Sequence, residues 1–165
     1  MTLREYIDRL RGRTVAVIGI GVSNTPLLRL LLREGISVTA CDRSSREKLG
    51  ALAGELEAAG AKLQLGAGYL QNLSQDVIFR TPGLRPDVPE LEAARAKGST
   101  ITSEMEVFFE VCPCPIIAVT GSDGKTTTTT IIAQLLRAAG HTVHVGGNIG
   151  HPLLAEADTI RPTDR

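Results

Sequence analysis

Short apolar runs alternate with stretches whose apolar residues recur at helical spacing, and glycines or capping residues mark most of the joins. Thr2 with Glu5 spells a capping box for a short opening helix. Thr14–Ile18 reads as a buried strand, Gly19-Ile20-Gly21-Val22-Ser23-Asn24 as a turn, and Thr25–Arg33 as a leucine-rich helix ended by Gly35. A second strand at 36–41 closes on Asp42-Arg43-Ser44, and Ser44 with Glu47 predicts a capped helix running to about Ala59. Strands at 61–65 and 76–80, a helix at 89–97 and a strand at 99–102 follow, with Thr81-Pro82-Gly83-Leu84 as the turn after the fourth strand. Ser103 with Glu106 opens a helix over Glu104–Val111. Pro113 and Pro115 then break the chain before an apolar run at 116–119 that reads as a buried strand. A helix carrying apolar residues from Ile131 to Ala139 ends at Gly140, a strand is predicted at 142–145, and a further helix begins at about 152–157.

Strands that alternate with helices in this way predict parallel sheets joined by right-handed crossovers. The expected fold class is therefore α/β: a Rossmann-like parallel sheet domain over residues 1–102, followed by the start of a P-loop α/β domain over 103–165. The second unit shows only two predicted strands and no later strand bearing an acidic partner for Mg²⁺. The chain is accordingly expected to be the N-terminal piece of a longer protein.

Composition narrows the class. The chain has 165 residues, 42% apolar but only 3% aromatic and without Trp, so its core is aliphatic, as suits parallel strands under helices. Lys plus Arg and Asp plus Glu are equal at 18 each, which favours neither nucleic acid nor a membrane surface as partner. No apolar run approaches the length of a membrane span and the first residues carry Arg4, Glu5 and Asp8, so a cytoplasmic location is expected. Cys41, Cys112 and Cys114 are expected to be reduced thiols, because Cys112-Pro113-Cys114 lacks the two-residue gap common to zinc and redox pairs.

Two glycine loops carry the candidate chemistry. Gly121, Ser122, Asp123, Gly124, Lys125, Thr126 and Thr127 lie between the predicted strand at 116–119 and a helix, the layout of a cradle for the phosphates of ATP. In such a loop the main-chain N–H groups turn toward phosphate oxygens, Lys125 brings a mobile charge to the terminal phosphates, and the Thr126 hydroxyl reaches Mg²⁺. Only Ser122 and Asp123 separate Gly121 from Gly124, fewer than in the general form. The five threonines from Thr126 to Thr130 are mediocre helix formers, which hydroxyls facing a ligand partly explain. In the first loop, Gly19 and Gly21 with Asp42 about twenty residues on are two thirds of a dinucleotide fingerprint; Asn24 stands where the third glycine belongs. A different nucleotide diphosphate is served equally well by the same helix N-terminus.

Taken together, Val17 to Ser23, Asp42-Arg43-Ser44, Thr81-Pro82-Gly83-Leu84, Val119 to Thr127 and Gly146-Gly147-Asn148-Ile149-Gly150 resemble the Mur ligases of peptidoglycan synthesis, most closely the D-glutamate-adding branch. The resemblance implies an ATP-dependent ligase. ATP phosphorylates the carboxylate of UDP-N-acetylmuramoyl-L-alanine, and the amine of D-glutamate attacks the resulting acyl phosphate to form an amide. It further implies that Val22 and Ser23 face the diphosphate, that Asp42, Arg43 and Ser44 line the uracil pocket, and that Thr81, Pro82 and Gly83 form the neighbouring wall. Asn148 would reach the sugar or diphosphate; Gly121 to Thr127 would hold ATP, with Lys125 the catalytic cation and Thr126 on Mg²⁺. Asp123 departs from the Asn of many members; it is expected to serve as backbone scaffold only, because N–H groups do the binding. The family's D-glutamate site and remaining catalytic residues would lie beyond Arg165, so the piece alone is expected to be inactive. Two other readings stay open on the residues themselves: an NAD(P)-dependent Rossmann oxidoreductase resting on Gly19, Gly21 and Asp42, and a stand-alone nucleotide-binding regulatory module resting on the second loop.

Overall fold

The computed structural model describes residues 1–147 and 151–165. Its centre is a five-stranded, wholly parallel sheet built from β1 (Thr14–Ile18), β2 (Ser37–Asp42), β3 (Lys62–Leu65), β4 (Val77–Phe79) and β5 (Thr100–Thr102), in the order β3-β2-β1-β4-β5. The two central strands are buried on both faces, which is why their sequences are almost continuously apolar. Side chains on a strand alternate between faces. Val15, Val17, Val77 and Phe79 therefore enter one hydrophobic cluster, whereas Ala16, Ile18 and Ile78 enter the other.

The larger cluster is covered by α1 (Leu3–Leu10), α2 (Thr25–Arg33) and α6 (Glu104–Val111), with a 3-10 segment at Leu154–Thr159. The smaller is covered by α5 (Pro89–Ala96), through Leu91 and Ala94, and by Leu73. Val107, Phe108 and Val111 of α6 and Leu153, Leu154, Ala157 and Ile160 join the same core as α1 and α2. One hydrophobic cluster thus runs across the sequence boundary at residues 102 and 103. The Glu104 carboxylate fastens this packing by accepting the Leu154 amide at 2.7 Å in a buried position.

The opening capping box forms as predicted: Thr2 Oγ1 accepts the Glu5 amide and the Glu5 carboxylate accepts the Thr2 amide. Ser103 likewise caps α6 by accepting the Glu106 amide at 3.3 Å. Other expectations need correction. The helix predicted from Ser44 to Ala59 is two pieces, α3 (Arg46–Leu49) and α4 (Ala51–Ala58), interrupted by Gly50 at φ 57° and ψ −132°. The residue before α3 is Ser45, not Ser44, and it makes no side-chain cap; the Ser44 amide is drawn instead to Asp42. The segment at 152–157 forms the 3-10 turns of Leu154–Thr159 rather than an α-helix.

The predicted strands at 116–119 and 142–145 do not form. Ile116 and Ile117 are exposed, and among the described residues no ladder partner lies beside them. An apolar run becomes a strand only when neighbours satisfy its N–H and C=O groups. Residues 142–144 show the beginning of such pairing: Arg165 N donates to Thr142 O (2.9 Å) and His144 N donates to Arg165 O (2.7 Å). The helix after the phosphate-type loop, α7 (Lys125–Ala138), is longer than its apolar spacing suggested and takes in the whole threonine run.

Candidate functional site

In a sheet ordered 3-2-1-4-5, the connections leave β1 and β4 toward opposite faces, and a crevice opens at the carboxyl ends of those strands. A cavity of about 420 Å³ lies there, lined by Ile18, Gly19, Gly21 to Asn24, Asp42, Arg43, Tyr69, Thr81, Gly83 and Leu84. Three separate turns supply it. Gly19 has φ 93°, and a Cβ there would stand 3.0 Å from the Thr81 Cβ, so only glycine lets the first turn pass the third. The amides of Gly21, Val22 and Ser23 have no acceptor among the described residues, and they precede the nine-residue α2. Unpaired N–H groups at the positive end of a helix form a ready seat for a diphosphate.

Of the residues predicted for this site, Val22, Ser23, Asp42, Arg43, Thr81 and Gly83 line the one cavity; Ser44 and Pro82 adjoin it in sequence but do not line it. Asn148 lies outside the described residues. Asn24, Tyr69 and Leu84 were not anticipated. Asn24 is almost fully buried and donates to Ile18 O at 2.9 Å, tying the start of α2 to the end of β1 where a third glycine would only have allowed close packing. Its standing in that glycine's place was the available signal; Leu84 stood in the Thr81–Leu84 turn without a role assigned to it, and Tyr69 left no signal, because the fold alone brings it in.

Asp42 does something the sequence did not reveal. Its Oδ2 accepts the Ile20 amide at 2.6 Å and its Oδ1 accepts the Ser44 amide at 2.7 Å. The carboxylate clamps the first turn to the second. Burial by itself raises the carboxyl pKa, but the Ser44 and Ile20 amides outweigh it and hold the group below the ordinary aspartate value.

The second loop opens α7. Gly124 caps the helix in the left-handed region at φ 74°, a conformation that turns the chain sharply and that other residues adopt at a cost. From Gly121 to Thr127 no main-chain N–H finds an acceptor among the described residues, and Thr128 is the first to do so, on Gly124 O at 2.9 Å. Lys125 folds back, its Nζ donating to Gly121 O (2.5 Å) and Ser122 O (2.9 Å). The Thr126 side chain is exposed and its hydroxyl has no partner among the described residues; Asp123 is exposed. The residues present therefore fit a polyphosphate: free amides, a cation within the loop, and a hydroxyl ready for a hard cation.

A second cavity, of about 310 Å³ and mainly apolar, lies beside this loop between α6, the 115–119 segment, α7 and 143–147. Phe108, Ile117, Ala133 and Leu136 are among its walls, and Lys125 and Thr126 stand at its edge. Its far side is held by Asp164, a buried carboxylate that accepts from Arg161 N (3.0 Å) and contacts His144 Nε2 at 3.1 Å. These bonds, led by the Arg161 amide and then His144, lower its pKa to about 2. A carboxyl lowered in the fold contributes stability that is complete above the ordinary aspartate range and lost as pH falls through the folded value. Asp164→Asn is expected to weaken the pairing of Arg165 with Thr142 at neutral pH and to flatten its decline between pH ~4 and pH 2. Hydrogen exchange at the Arg165 amide across that range reads both effects.

Among the described residues no helix is long and apolar enough to cross a membrane. Residues 119–162 match the Mur ligase middle domain family. Over 164 residues, 99% of its length, the chain is 48% identical to the UDP-N-acetylmuramoylalanine–D-glutamate ligase of Acetivibrio thermocellus, covering 35% of that protein. It is 52% identical over 146 residues to the ligase of the same name from Symbiobacterium thermophilum, covering 88% of this chain and 32% of that one. The chain spans about a third of the length of the curated relatives it matches. Among solved structures, a pseudomurein peptide ligase type C from Methanothermus fervidus aligns with TM-score 0.51 and 25% identity over 88% of this chain and 31% of its own. A murein peptide ligase from Psychrobacter arcticus aligns with TM-score 0.50 and 28% identity over 80% of this chain and 28% of its own.

Proposed function

We propose that the chain is part of a Mur ligase, about a third of a cytoplasmic enzyme that joins D-glutamate to UDP-N-acetylmuramoyl-L-alanine. Residues 1–102 form the unit that holds the UDP handle of the substrate, and 103–165 open the ATP-binding unit. The observation that carries the reading is the pair of unsatisfied amide runs, Gly21 to Ser23 and Gly121 to Thr127, each lying just before or at the first turn of a helix. Two anion seats in one chain suit a diphosphate-bearing substrate and a triphosphate; a single dinucleotide site would use only the first.

In the first seat Val22 and Ser23 present their amides to the diphosphate, while Asp42 fixes the turns around it. Arg43, Thr81 and Gly83 form the walls within which the uridine is oriented, with Ser44 and Pro82 supporting them. In the second seat the amides of Gly121, Ser122, Asp123, Gly124, Lys125, Thr126 and Thr127 receive the phosphates. Lys125, now bonded to the Gly121 and Ser122 carbonyls, would hold the terminal phosphates, and the Thr126 hydroxyl would help hold Mg²⁺. When bound, ATP with Mg²⁺ supplies the phosphoryl group that activates the substrate carboxylate. The chain spans about a third of the relatives' length, and the roles given to it here are those of substrate and nucleotide binding.

Titration calorimetry on the purified chain tests the assignment. Heat is expected with UDP-N-acetylmuramoyl-L-alanine and separately with ATP in the presence of Mg²⁺. Heat from NADH with none from UDP or the UDP-sugar would instead support the oxidoreductase reading of Gly19, Gly21 and Asp42.

A further inference from the structure

Cys112 and Cys114 lie in the segment between α6 and the phosphate-type loop, and nothing in the ligase reading employs them. Their sulfurs lie 3.6 Å apart. The backbone sets this contact. Cys112 is extended, at φ −63° and ψ 122°, as a residue before proline must be, and Pro113 fixes its own φ. In an extended stretch residues i and i+2 project to the same side. Their Cα atoms are then about 6–7 Å apart, which lies at the upper end of the span a disulfide bridges. The two thiols also differ in access. Cys112 is half-buried, and Cys114 is 9% exposed beneath it. Both border the apolar cavity beside Lys125. Among the described residues no group of three or more His, Cys, Asp or Glu gathers as a metal site, which leaves a two-sulfur arrangement.

We propose that Cys112 and Cys114 form a thiol–disulfide exchange site, with Cys112 the attacking and Cys114 the resolving thiol, which takes up a low-molecular-weight disulfide of the glutathione class and closes to an intrachain bond.

The chemistry balances in two exchanges. Cys112 loses its proton to solvent, and its thiolate attacks one sulfur of glutathione disulfide; that S–S bond breaks, a mixed disulfide forms and one glutathione thiolate leaves. Cys114 then loses its proton and attacks the Cys112 sulfur, expelling the second glutathione. The protein is oxidised by two electrons, and glutathione disulfide is reduced to two glutathiones. Burial, followed by the hydrogen bond with Cys112, pushes the Cys114 thiol up. It is thereby a poor first attacker that becomes effective once a mixed disulfide is held beside it. Cys41 is an internal control: it is fully buried, and burial followed by the charge of Asp42 pushes its thiol up to about 12.

The test is intact-mass and peptide mass spectrometry of the native chain incubated with glutathione disulfide. The expected product is loss of two hydrogens with no retained glutathione, a Cys112–Cys114 cross-linked peptide and an unmodified Cys41, all reversed by dithiothreitol. Cys114→Ser is expected to stop at one glutathione on Cys112. Cys112→Ser is expected to lose the reaction, with circular dichroism confirming that both variants keep the fold. A wild-type chain that retains glutathione on Cys112 without closing overturns the proposal, as does one whose Cys112 reacts no faster than Cys41, or a Cys112→Ser variant that reacts as fast as the wild type.

Discussion

Replacing Lys125 with alanine is expected to cut the affinity of the chain for ATP with Mg²⁺ by about 10- to 100-fold, the loss of a charge-assisted hydrogen bond worth about 1.5–3 kcal/mol. Affinity for UDP-N-acetylmuramoyl-L-alanine should not change, because that seat is made by other turns. The ammonium is well placed for this role. It is bonded to the Gly121 and Ser122 carbonyls, and so sits on the loop whose amides face the opposite need, an incoming anion. Exchanging two neutral carbonyls for phosphate oxygens is a gain in charge pairing, and the four-carbon stem of lysine permits the move without displacing α7. The folded state has little at stake in the side chain, since the pair of carbonyl bonds is near the surface and water replaces them. The stability change should stay within about 0.5 kcal/mol. Calorimetry with ATP, a second titration with the UDP substrate and a thermal melt separate the outcomes. Unaltered ATP affinity would remove Lys125 from the site, and loss of both affinities with a lowered melting temperature would mean that the substitution had damaged the fold.

The contrast between the two loops shows what a sequence of this kind discloses. Thr14–Ile18 was legible because an apolar run between polar flanks, followed by glycine and a leucine-rich helix, has few alternatives to a central parallel strand; the structure seats it between β2 and β4. Residues 116–119 carry the same signal, yet they form no strand. Strand formation depends on hydrogen-bonding neighbours, and a one-dimensional pattern cannot report whether they are present. The loop itself survives this difference. The bond from Thr128 N to Gly124 O and the turn at Gly124 are local, so glycine placement and helix propensity suffice to define them.

The crevice was legible in part for the same reason. Glycines and the strand end at Asp42 mark two of its turns, and Thr81-Pro82-Gly83 marks the third. What each side chain does there was not legible, because it depends on the approach of turns far apart in sequence. Asp42 reads from spacing as an acid waiting for a ribose; in the fold its oxygens already hold the amides of Ile20 and Ser44. Tyr69 enters the cavity from beyond β3, at a position no motif marks. The thiol contact between Cys112 and Cys114 is a further instance: the one-residue gap argued against a pair, whereas extended backbone around Pro113 places both sulfurs on one side.

Asp42→Ala is expected to lower both the affinity for the UDP substrate, by tenfold or more, and the stability of the fold, by about 1.5–3 kcal/mol if the loss follows that of other hydrogen bonds to charged groups. Because the carboxylate is only half-buried, the lower end of that range is the better guide, as water reaches the freed amides. The two losses belong together. With the clamp gone, the Ile20 and Ser44 turns separate, and the amides of Gly21 to Ser23 are no longer held toward one point. Asp42→Asn should fall between wild type and alanine, since its carbonyl oxygen accepts one amide while its NH₂ group faces the other and cannot. The pH dependence carries the same signature. The folded carboxyl sits below its ordinary value, so the wild-type contribution is complete above pH ~4 and is withdrawn as pH falls through the lower folded value. Asp42→Asn has no such group, and its stability should decline less over that interval. Denaturant melts at neutral and acid pH, paired with calorimetry on UDP, measure each effect. If Asp42 were instead a direct ligand of the uridine, alanine would abolish binding and leave the melts unchanged, and the clamp would have to be given up.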